Sequence, residues 1–433
     1  MVFNHKKIAD IFYASLEAVD PYKSTSLYTN KLRSVFQSGR YRSLIVIGFG
    51  KASCPMSKAL EDQLFDLIDS GMVITKYEHC PSSYMLKKIR IFEAGHPVPD
   101  ENGLRATKAI INLLKGVDRN SLLVCLISGG GSALFISPYE GITLNEKQKV
   151  TELLLKAGAT ISELNTVRKH ISKVKGGRLA EIAYPVRIIS LILSDVIGDR
   201  LDVIASGPTA PDKMKYIEAL KVIEKYGLIA LTPGSVLDIL NKGAKGIIPE
   251  TPKEGDKAFR NVENIIVGSN RKALEAAKTE AEKLGLHAEI LSSEISGEAG
   301  DVGKMLAKKA IEAKGKGQRA RCLISGGETT VTVKGNGLGG RNTELALSFA
   351  MEIEGIDGIT LLSAGTDGTD GPTDAAGAIV DGETIKKAKV VGLNPEKYLK
   401  TNDSYNFFKK IDGLFVTGPT GTNVMDVQIS IIE

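Results

Sequence analysis

Two glycine-rich segments of the sequence have the composition of phosphate-binding loops. Ser128-Gly129-Gly130-Gly131-Ser132 follows the apolar run 122–127, and Ser325-Gly326-Gly327-Glu328 follows the run 321–324. The six-residue sequence CLISGG, which joins each run to its glycines, occurs at both 125–130 and 322–327. Successive glycines let neighbouring backbone N–H groups point at one anion, and a following helix adds partial positive charge. Such glycines also close tight turns, but two loops of this kind predict phosphate binding.

Two basic residues stand directly after glycines at the predicted start of a helix. Lys51 follows Gly50, and Arg341 follows Gly340. A cation there opposes the helix dipole, at a cost of about 0.3–1 kcal/mol unless an anion compensates it. The position of Lys51 therefore favours a function over a solvated surface residue, and a guanidinium at 341 could bind a carboxylate or phosphate through two parallel hydrogen bonds.

A third basic group has two open interpretations. Arg168, Ser172 and Lys175 fall at i, i+4 and i+7 of a helix-compatible stretch, so they would share one helix face. A charged helix face is usually solvated surface. This stretch, however, ends in a second Gly-Gly-Arg at 176–178, so a functional interpretation stays open beside the ordinary one.

Several acidic residues could hold a metal ion or accept a proton. Asp195 follows the apolar run 188–193, and Asp367, Asp370 and Asp374 lie in the segment GTDGTDGPTD. Carboxylate oxygens are the ligands that Mg²⁺ prefers, although aspartates in such segments also form simple Asx turns. His96 is a lone histidine in the loop-like segment GHPVPD, and the five histidines of the chain match no zinc motif.

Familiar nucleotide-binding signatures are largely missing from the sequence. No Gly-Lys is followed by Ser or Thr, so there is no Walker motif, and the H-R-D and D-F-G segments of protein kinases do not occur. Residues 335–340 match G-x-G-x-x-G after a strand-like stretch at 330–334. A single match of this kind is a weak indication of dinucleotide binding.

The elements that must position these residues alternate between strands and helices. Short apolar runs at 44–47, 72–75, 122–127 and 188–193 are separated by helix-compatible stretches, which predicts βαβ units and a buried parallel sheet. A polar segment at 247–261 suggests a boundary. We therefore expect an α/β fold of two α/β domains. The N-terminal domain (1–250) should be a Rossmann-like, doubly wound and mainly parallel sheet. The C-terminal α/β domain (251–433) begins its own series with a strand at 264–267; an alternative is that its last strands pack back on the first domain.

The composition excludes several classes of protein. The 433 residues carry 56 Lys and Arg against 51 Asp and Glu, a net charge of +5 that is spread along the chain, and only 6% are aromatic. This is not the basic, aromatic surface of a nucleic-acid binder. There is no apolar run long enough to span a membrane and no signal-peptide core at the start. The four cysteines lie far apart without C-x-x-C, so we expect neither a disulfide scaffold nor a zinc site. We also expect a cytoplasmic location.

Taken together, the motifs resemble the glycerate 2-kinase family, whose C-terminal half is called the MOFRL domain. The resemblance extends from about residue 6 to residue 430 and rests on the ordered segments 48–52, 95–100, 128–134, 165–180, 194–199, 204–211, 337–347, 365–376 and 417–423. It implies two α/β domains with the active site in the cleft between them, and the transfer of a phosphoryl group from ATP to the 2-hydroxyl of D-glycerate with a divalent metal. The chain departs from the family pattern at Arg200, where an acidic residue is common, and at Thr343, where Gln is common.

The resemblance also implies roles for individual residues, which the chemistry of phosphoryl transfer supports. Lys51, Arg341 and Asp195 would be catalytic; Lys51, His96 and Arg341 would bind D-glycerate; and Asp195 and Asp367 would hold Mg²⁺. ATP would contact Ser128, Gly129, Gly130, Gly131, Ser132, Lys175, Ser325, Gly326, Gly327 and Glu328. We expect a homodimer with no nucleic-acid or membrane partner. Two alternatives remain: an NAD(P)H-dependent hydroxypyruvate reductase, to which the glycines at 335–340 would be suited, and a non-catalytic nucleotide sensor.

Overall fold

The fold is described in a computed structural model that covers residues 2–315 and 320–433, with only the backbone of Val2 and Phe3. The α-helices are α1 Val2–Ala18, α2 Pro21–Ser26, α3 Thr29–Ser38, α4 Ser53–Leu64, α5 Glu101–Lys115, α6 Gly131–Leu134, α7 Leu144–Lys156, α8 Ile161–His170, α9 Arg178–Ala183, α10 Tyr216–Lys225, α11 Gly234–Ala244, α12 Asn270–Lys283, α13 Ala299–Lys314, α14 Arg341–Glu352, α15 Thr384–Val390, α16 Pro395–Lys400 and α17 Ser404–Lys410. The strands are β1 Ser43–Phe49, β2 Ile68–Lys76, β3 Ile89–Ala94, β4 Ser121–Ile127, β5 Arg187–Leu193, β6 Val262–Gly268, β7 His287–Ile295, β8 Arg321–Gly327, β9 Ile359–Gly365, β10 Gly377–Asp381, β11 Leu414–Phe415 and β12 Asp426–Ile432.

The chain divides into two compact units that each contain one six-stranded sheet. The parallel-sheet unit comprises residues 21–194 and 199–267, and the mixed-sheet unit comprises residues 2–20, 195–198 and the described residues from 268 onward. This division differs from the expected boundary at 250. The strand expected to open the second series is β6, which joins the first sheet beside β5. The N-terminal helix α1 belongs to the mixed-sheet unit because Ile8, Ile11 and Phe12 are buried in its core.

The parallel-sheet unit confirms the predicted doubly wound sheet. Its strand order is β3-β2-β1-β4-β5-β6, and the ladders that join β3, β2, β1, β4 and β5 are all parallel. All seven residues of β4 are buried, as expected for a strand covered on both faces. The chain runs outward from β1 to β3 and then returns to continue through β4. The loops after β1 and β4 therefore lie side by side at the switch point, where such sheets bind ligands.

The mixed-sheet unit has the strand order β11-β10-β9-β12-β8-β7. Only the pair β7 and β8 is parallel among its described ladders; β12 runs antiparallel to β8 and β9, and β10 runs antiparallel to β9 and β11. The last strands, β11 and β12, pair within this sheet and not with strands of the parallel sheet. All seven residues of β12 are buried at the centre of the sheet.

The cysteine prediction also needs a correction. Cys54 and Cys80 are joined by a disulfide across a separation of 26 residues, with their Cα atoms 5.6 Å apart. Cys54 lies in the first turn of α4, directly after β1, and Cys80 follows β2. Because β1 and β2 are parallel neighbours, their C-terminal ends meet at one edge of the sheet, which the spacing of the cysteines along the chain does not reveal.

Candidate functional site

The glycine loop after β4 packs directly against the turn after β1. The backbone N–H of Lys51 donates to the carbonyl of Gly129 at 2.9 Å, and that of Ala52 donates to the Ser128 hydroxyl at 3.0 Å. Gly50 has φ of +130°, and a Cβ there would lie 2.2 Å from the Ser128 hydroxyl oxygen. Glycine is therefore required at position 50, because both the backbone conformation and the close approach exclude a side chain. The structure thus brings Lys51 and the segment 128–132 together, as the sequence predicts.

The loop keeps a set of backbone N–H groups available to a ligand. Across the part of the chain that the structure describes, the N–H groups of Gly129, Gly130 and Ser132 have no hydrogen-bond acceptor. Ser128, by contrast, has a structural role, because it is buried and its hydroxyl accepts from Ala52. Free N–H groups on successive residues form an anion-binding concavity. The loop therefore offers three N–H donors to a ligand, and phosphate binding by it stays a prediction.

Lys51 and His96 flank the loop at Gly130. A Cβ at Gly130 would lie 3.0 Å from His96 Nε2 and 3.3 Å from Lys51 Cγ, so both side chains contact this glycine. The ammonium group of Lys51 makes no hydrogen bond or ion pair with any described residue. Burial, together with the charges of Lys51, Lys76 and His79, lowers the pKa of His96 to about 4. At neutral pH His96 is therefore uncharged, and Lys51 is a cation without a counter-charge.

A cavity of about 430 Å³ opens beside this loop within the parallel-sheet unit. It is lined by Gly130 and Ser132 of the loop, by His96, and by the three cationic side chains Lys147, Arg168 and Lys175. Sequence reasoning singled out Arg168 and Lys175 but missed Lys147, which is buried inside α7 and has no distinctive sequence context. The predicted shared helix face is wrong, because α8 ends at His170; Arg168 and Lys175 meet through the turn that follows the helix.

The two lysines that line the cavity donate hydrogen bonds to backbone carbonyls around it. Lys175 donates to the carbonyl of Ser132 at 2.7 Å, and Lys147 donates to the carbonyl of Ile171 at 2.9 Å. Burial, with a further contribution from Arg168, lowers the pKa of Lys175 to about 7. Burial also lowers the pKa of Lys147 well below its usual value, and Lys175 and Arg168 add to the effect. These shifts have the sign expected for cations that face one another without a carboxylate.

In the mixed-sheet unit, Arg341 begins α14 as predicted, but its guanidinium already has carboxylate partners. Its Nε and Nη2 atoms donate to Asp426 at 2.6 and 2.9 Å, and its Nη1 atom donates to Glu328 at 2.7 Å. Asp426 is fully buried. Burial raises the pKa of Asp426 to about 6, against the lowering effect of Arg341. The short bidentate geometry is that of an ionised carboxylate with a guanidinium.

Asp426, like Lys147, is a residue of the candidate site that the sequence analysis missed. It stands 85 residues after Arg341, at the start of the last strand, and no motif marks it. The antiparallel pairing of β12 with β8 and β9 carries Asp426 to the C-terminal ends of those strands, opposite Gly327 and Gly365.

The aspartates of the segment 365–374 have different roles. Asp370 is buried and accepts hydrogen bonds from the backbone N–H groups of Asn342 and Thr343 at 2.8 Å each, so it caps α14. Asp374 accepts from the hydroxyl of Tyr405 at 2.7 Å. These two are structural.

Asp367 is placed differently from the other two. One of its oxygens accepts from the N–H of Thr369 at 3.1 Å, which is an Asx turn. A Cβ at Gly365 would lie 3.2 Å from that oxygen and 3.6 Å from an oxygen of Asp426. Asp367 and Asp426 therefore face the same glycine.

The remaining metal candidate, Asp195, follows β5 by two residues and belongs to the mixed-sheet unit. The described residues contain no group of three or more His, Cys, Asp or Glu side chains that could hold a metal ion. Mg²⁺ in phosphoryl-transfer sites commonly takes only one or two carboxylates and completes its shell with phosphate oxygens and water. A magnesium site at Asp195 or Asp367 would therefore need ligands from the substrate and water, and it stays a prediction.

The second predicted phosphate loop is not a loop in the structure. Ser325, Gly326 and Gly327 are the last residues of β8 and pair with Gln428, Val427 and Asp426 of β12. A Cβ at Gly326 would lie 2.2 Å from the Asn270 side-chain oxygen, so this glycine makes room for a protein side chain. Glu328 follows the strand and accepts from Arg341. Ser325–Gly327 is therefore a strand end and not a loop, and contact of Ser325–Glu328 with ATP stays a prediction.

The glycines at 335–340 also pack against protein. Cβ atoms at Gly335, Gly337 and Gly339 would each lie 2.4 Å from an atom of Thr401, Asp403 or Ser404, respectively. The strand expected at 330–334 is absent from the described structure, where these residues form a single bridge and irregular chain. The match to G-x-G-x-x-G is therefore explained by close backbone packing. No helix in the described parts of the chain is both long and apolar enough to cross a membrane.

Comparison with known proteins identifies two matching families along the chain. Residues 7–241 match the family described as "Domain of unknown function (DUF4147)", and residues 321–426 match the MOFRL family. The first match covers more than half of the chain.

Curated relatives align over nearly the whole chain. The D-glycerate 2-kinase of Thermotoga maritima is 48% identical over 99% of this chain and 98% of its own length. The glycerate 2-kinase of Pyrococcus horikoshii is 42% identical over 96% of this chain and 95% of its own. A protein of Agrobacterium vitis named putative hydroxypyruvate reductase is 42% identical over 90% of this chain and 87% of its own.

A solved structure has the same fold. The crystal structure of the glycerate kinase of Thermotoga maritima matches with a TM-score of 0.89 and 46% identity, and the match covers 99% of this chain and 100% of that one. The ordered glycine, lysine and arginine segments, the doubly wound sheet and these full-length similarities agree, and the chain therefore belongs to the glycerate 2-kinase family with its DUF4147 and MOFRL domains.

Proposed function

We propose that the protein catalyses the ATP-dependent phosphorylation of D-glycerate at the 2-hydroxyl, giving 2-phosphoglycerate and ADP. The observation that carries the proposal is the free N–H set of the loop at 129–132 beside Lys51, a cation without a counter-charge. Phosphoryl transfer needs positioning and charge neutralisation more than covalent catalysis. The names and the full-length identity of the relatives support this choice of phosphoryl acceptor.

The residues take the following roles in the proposal. In the parallel-sheet unit, Lys51 and His96 bind the glycerate carboxylate, and Lys51 also stabilises the transferred phosphoryl group. The loop Ser128–Ser132 binds ATP phosphates through the free N–H groups of Gly129, Gly130 and Ser132, and Lys175 fixes the loop through the carbonyl of Ser132. Because His96 is uncharged at neutral pH, it donates or accepts a hydrogen bond without adding charge.

The remaining proposed roles belong to residues of the mixed-sheet unit, and they rest on the resemblance to the family. Arg341 stabilises negative charge with the N–H groups that are not bound to Asp426 and Glu328, and Ser325–Glu328 supports it. The 2-hydroxyl oxygen of glycerate forms a bond to the γ-phosphorus while the bond from that phosphorus to ADP breaks, and Asp195 accepts the hydroxyl proton. Mg²⁺, held by Asp195 or Asp367, would neutralise the phosphate oxygens when it is bound.

The test is the release of ADP from Mg-ATP and D-glycerate, with the product offered to enolase in the absence of a phosphoglycerate mutase. ADP together with immediate phosphoenolpyruvate is the expected result. ADP without phosphoenolpyruvate would assign the transfer to the 3-hydroxyl or to another acceptor. No ADP would refute the kinase proposal.

Hydroxypyruvate reduction is not favoured by the site, although two relatives are named putative hydroxypyruvate reductase. The glycines that would suit a nicotinamide cofactor pack against residues 401–404 instead. We therefore expect no oxidation of NADH or NADPH with hydroxypyruvate under conditions in which ADP is released. The expected homodimer and cytoplasmic location stay predictions, and sedimentation equilibrium and cell fractionation would test them.

A further inference from the structure

The cavity beside the glycine loop has one cation that the proposed roles do not use. Arg168 lines the cavity together with Lys147 and Lys175. The ammonium groups of both lysines donate to backbone carbonyls of the wall, whereas the guanidinium of Arg168 makes no hydrogen bond or ion pair with any residue in the described ranges. A guanidinium with all its donors available is suited to a phosphate group, which it can bind through two parallel hydrogen bonds.

The only carboxylate that lines the cavity does not neutralise this cation. Glu152 lies at the cavity, but its side chain is 63% exposed and forms an ion pair with Lys156 at 2.6 Å. The guanidinium of Arg168 therefore faces a space without a counter-charge from the described residues, beside two lysines whose pKa values are lowered by burial. Charges placed in this way destabilise a protein unless a ligand compensates them, so the cavity has the electrostatics of a polyanion site.

The other part of the wall is apolar. Ile136 is buried, while Leu155 and Val98 are 58% and 63% exposed where they border the same cavity. Exposed apolar side chains around a concave site commonly mark ligand contacts. The volume of about 430 Å³ lies in the range of pockets that hold drug-sized ligands. A three-carbon acid such as glycerate would leave most of this space empty and would not use the apolar wall.

We propose that this cavity binds the nucleoside triphosphate, with Arg168 as a phosphate-binding side chain and the wall of Ile136, Leu155 and Val98 against the base. The phosphate chain would extend from Arg168 to the free N–H groups of Gly129, Gly130 and Ser132, because Gly130 and Ser132 border the same space. The inference rests on the proposed kinase function for the identity of the ligand and adds where the nucleotide lies.

The first test compares Arg168→Gln with Arg119→Gln in the full-length protein. Arg119 is exposed and lies outside the cavity, so its variant loses the same charge elsewhere. Binding of ATP and of adenosine is measured by titration calorimetry without D-glycerate. We expect Arg168→Gln to weaken ATP binding by about tenfold to a hundredfold, because charge-assisted hydrogen bonds to phosphate are lost. Adenosine binding and the KM for D-glycerate should be unchanged.

The second test locates the nucleotide without removing a buried group. Leu155→Cys puts a thiol at the cavity, and Ile161→Cys puts one at an equally exposed position at the start of α8 that does not line it. The native free thiols, Cys125 and Cys322, are buried, so background alkylation is slow. ATP should slow alkylation of the L155C thiol at least about tenfold at saturating ligand and leave the I161C thiol unaffected.

The outcomes separate this inference from the proposed function. If the wild-type enzyme releases ADP with D-glycerate but Arg168→Gln binds ATP as tightly as wild type, the inference is overturned and the kinase assignment stands. If the wild-type enzyme releases no ADP but ATP still protects the L155C thiol, the nucleotide site stands and the kinase assignment fails. Protection by D-glycerate in place of ATP would overturn the inference.

Discussion

Replacing Lys51 by methionine should remove activity without weakening the fold. Its ammonium group has no hydrogen bond or ion pair to the rest of the described structure. It lies beside Gly130 together with His96, which is neutral at pH 7. Methionine keeps the aliphatic length of the side chain and removes only the charge. The substitution therefore tests whether the ammonium group of Lys51 serves ligand binding or the stability of the fold.

The substitution should have a large effect on kcat/KM and a small one on the free energy of unfolding. A charge-assisted hydrogen bond contributes about 1.5–3 kcal/mol. In our proposal Lys51 makes one such bond to the glycerate carboxylate and one to the transferred phosphoryl group, so its loss should cost about 3–6 kcal/mol in kcat/KM, a factor of about 10²–10⁴. The free energy of unfolding should change by no more than about 0.5 kcal/mol, because no native contact of the ammonium group is lost.

The assay measures kcat/KM for D-glycerate from ADP release, together with urea unfolding of the same preparation. Lys108→Met is the matched control, because Lys108 is an exposed lysine on α5; it should retain wild-type kinetics. The reasoning is refuted if Lys51→Met keeps kcat/KM within about threefold of wild type, or if it loses activity only in proportion to a loss of folded protein.

Four further predictions concern charge and pH. Asp426→Ala should lower the free energy of unfolding by about 3 kcal/mol, since it removes the buried carboxylate of Arg341; urea titration measures this, and an unchanged midpoint would contradict it. His96 has a pKa of about 4 in the folded chain against about 6.5 when unfolded. The unfolded state therefore takes up a proton first, and stability should fall as pH decreases from about 6.5 toward 4; His96→Gln should reduce that slope in urea titrations at both ends of the range. Lys175 has a pKa of about 7 in the free protein, so phosphate binding should raise it and ATP binding near pH 8 should take up protons. Calorimetry in buffers of different ionisation enthalpy should detect this uptake, and Lys175→Met should abolish it. Chelation of divalent metal should stop ADP release, and added Mg²⁺ should restore it; turnover that persists in excess chelator would argue against the metal.

The parts of the fold that could be predicted from the sequence depend on local signals. The runs of β4 and β5 are apolar along their whole length, as strands buried on both faces must be. Two of the free N–H groups of the loop after β4 belong to Gly129 and Gly130, which the local sequence displays directly, whereas the N–H of Gly131 donates to the carbonyl of Ser128. The switch point also follows from strand order once the βαβ units are recognised.

The repeated sequence CLISGG shows where local prediction ends. At 125–130 the chain leaves the sheet after Ile127, and the glycines form a loop. At 322–327 the same six residues continue as a strand to Gly327, because β12 pairs with them. The difference is made by a partner strand about a hundred residues away in sequence, so no reading of the six residues themselves could distinguish a phosphate loop from a strand end.

The same limit applies to the two cations that the glycine-then-base pattern singles out. The pattern correctly places Lys51 and Arg341 at junctions before a helix, which is a local property. The pattern says nothing about their counter-charges, and the two residues differ in this respect. Lys51 has no counter-charge among the described residues, whereas Arg341 is bound by Asp426 and Glu328. A cation without a partner offers its whole charge to a ligand, whereas one held by two carboxylates offers only its remaining donors and a fixed orientation. Lys51 is therefore the stronger attractor of an anionic substrate, and Arg341 acts chiefly through the direction in which Asp426 holds it.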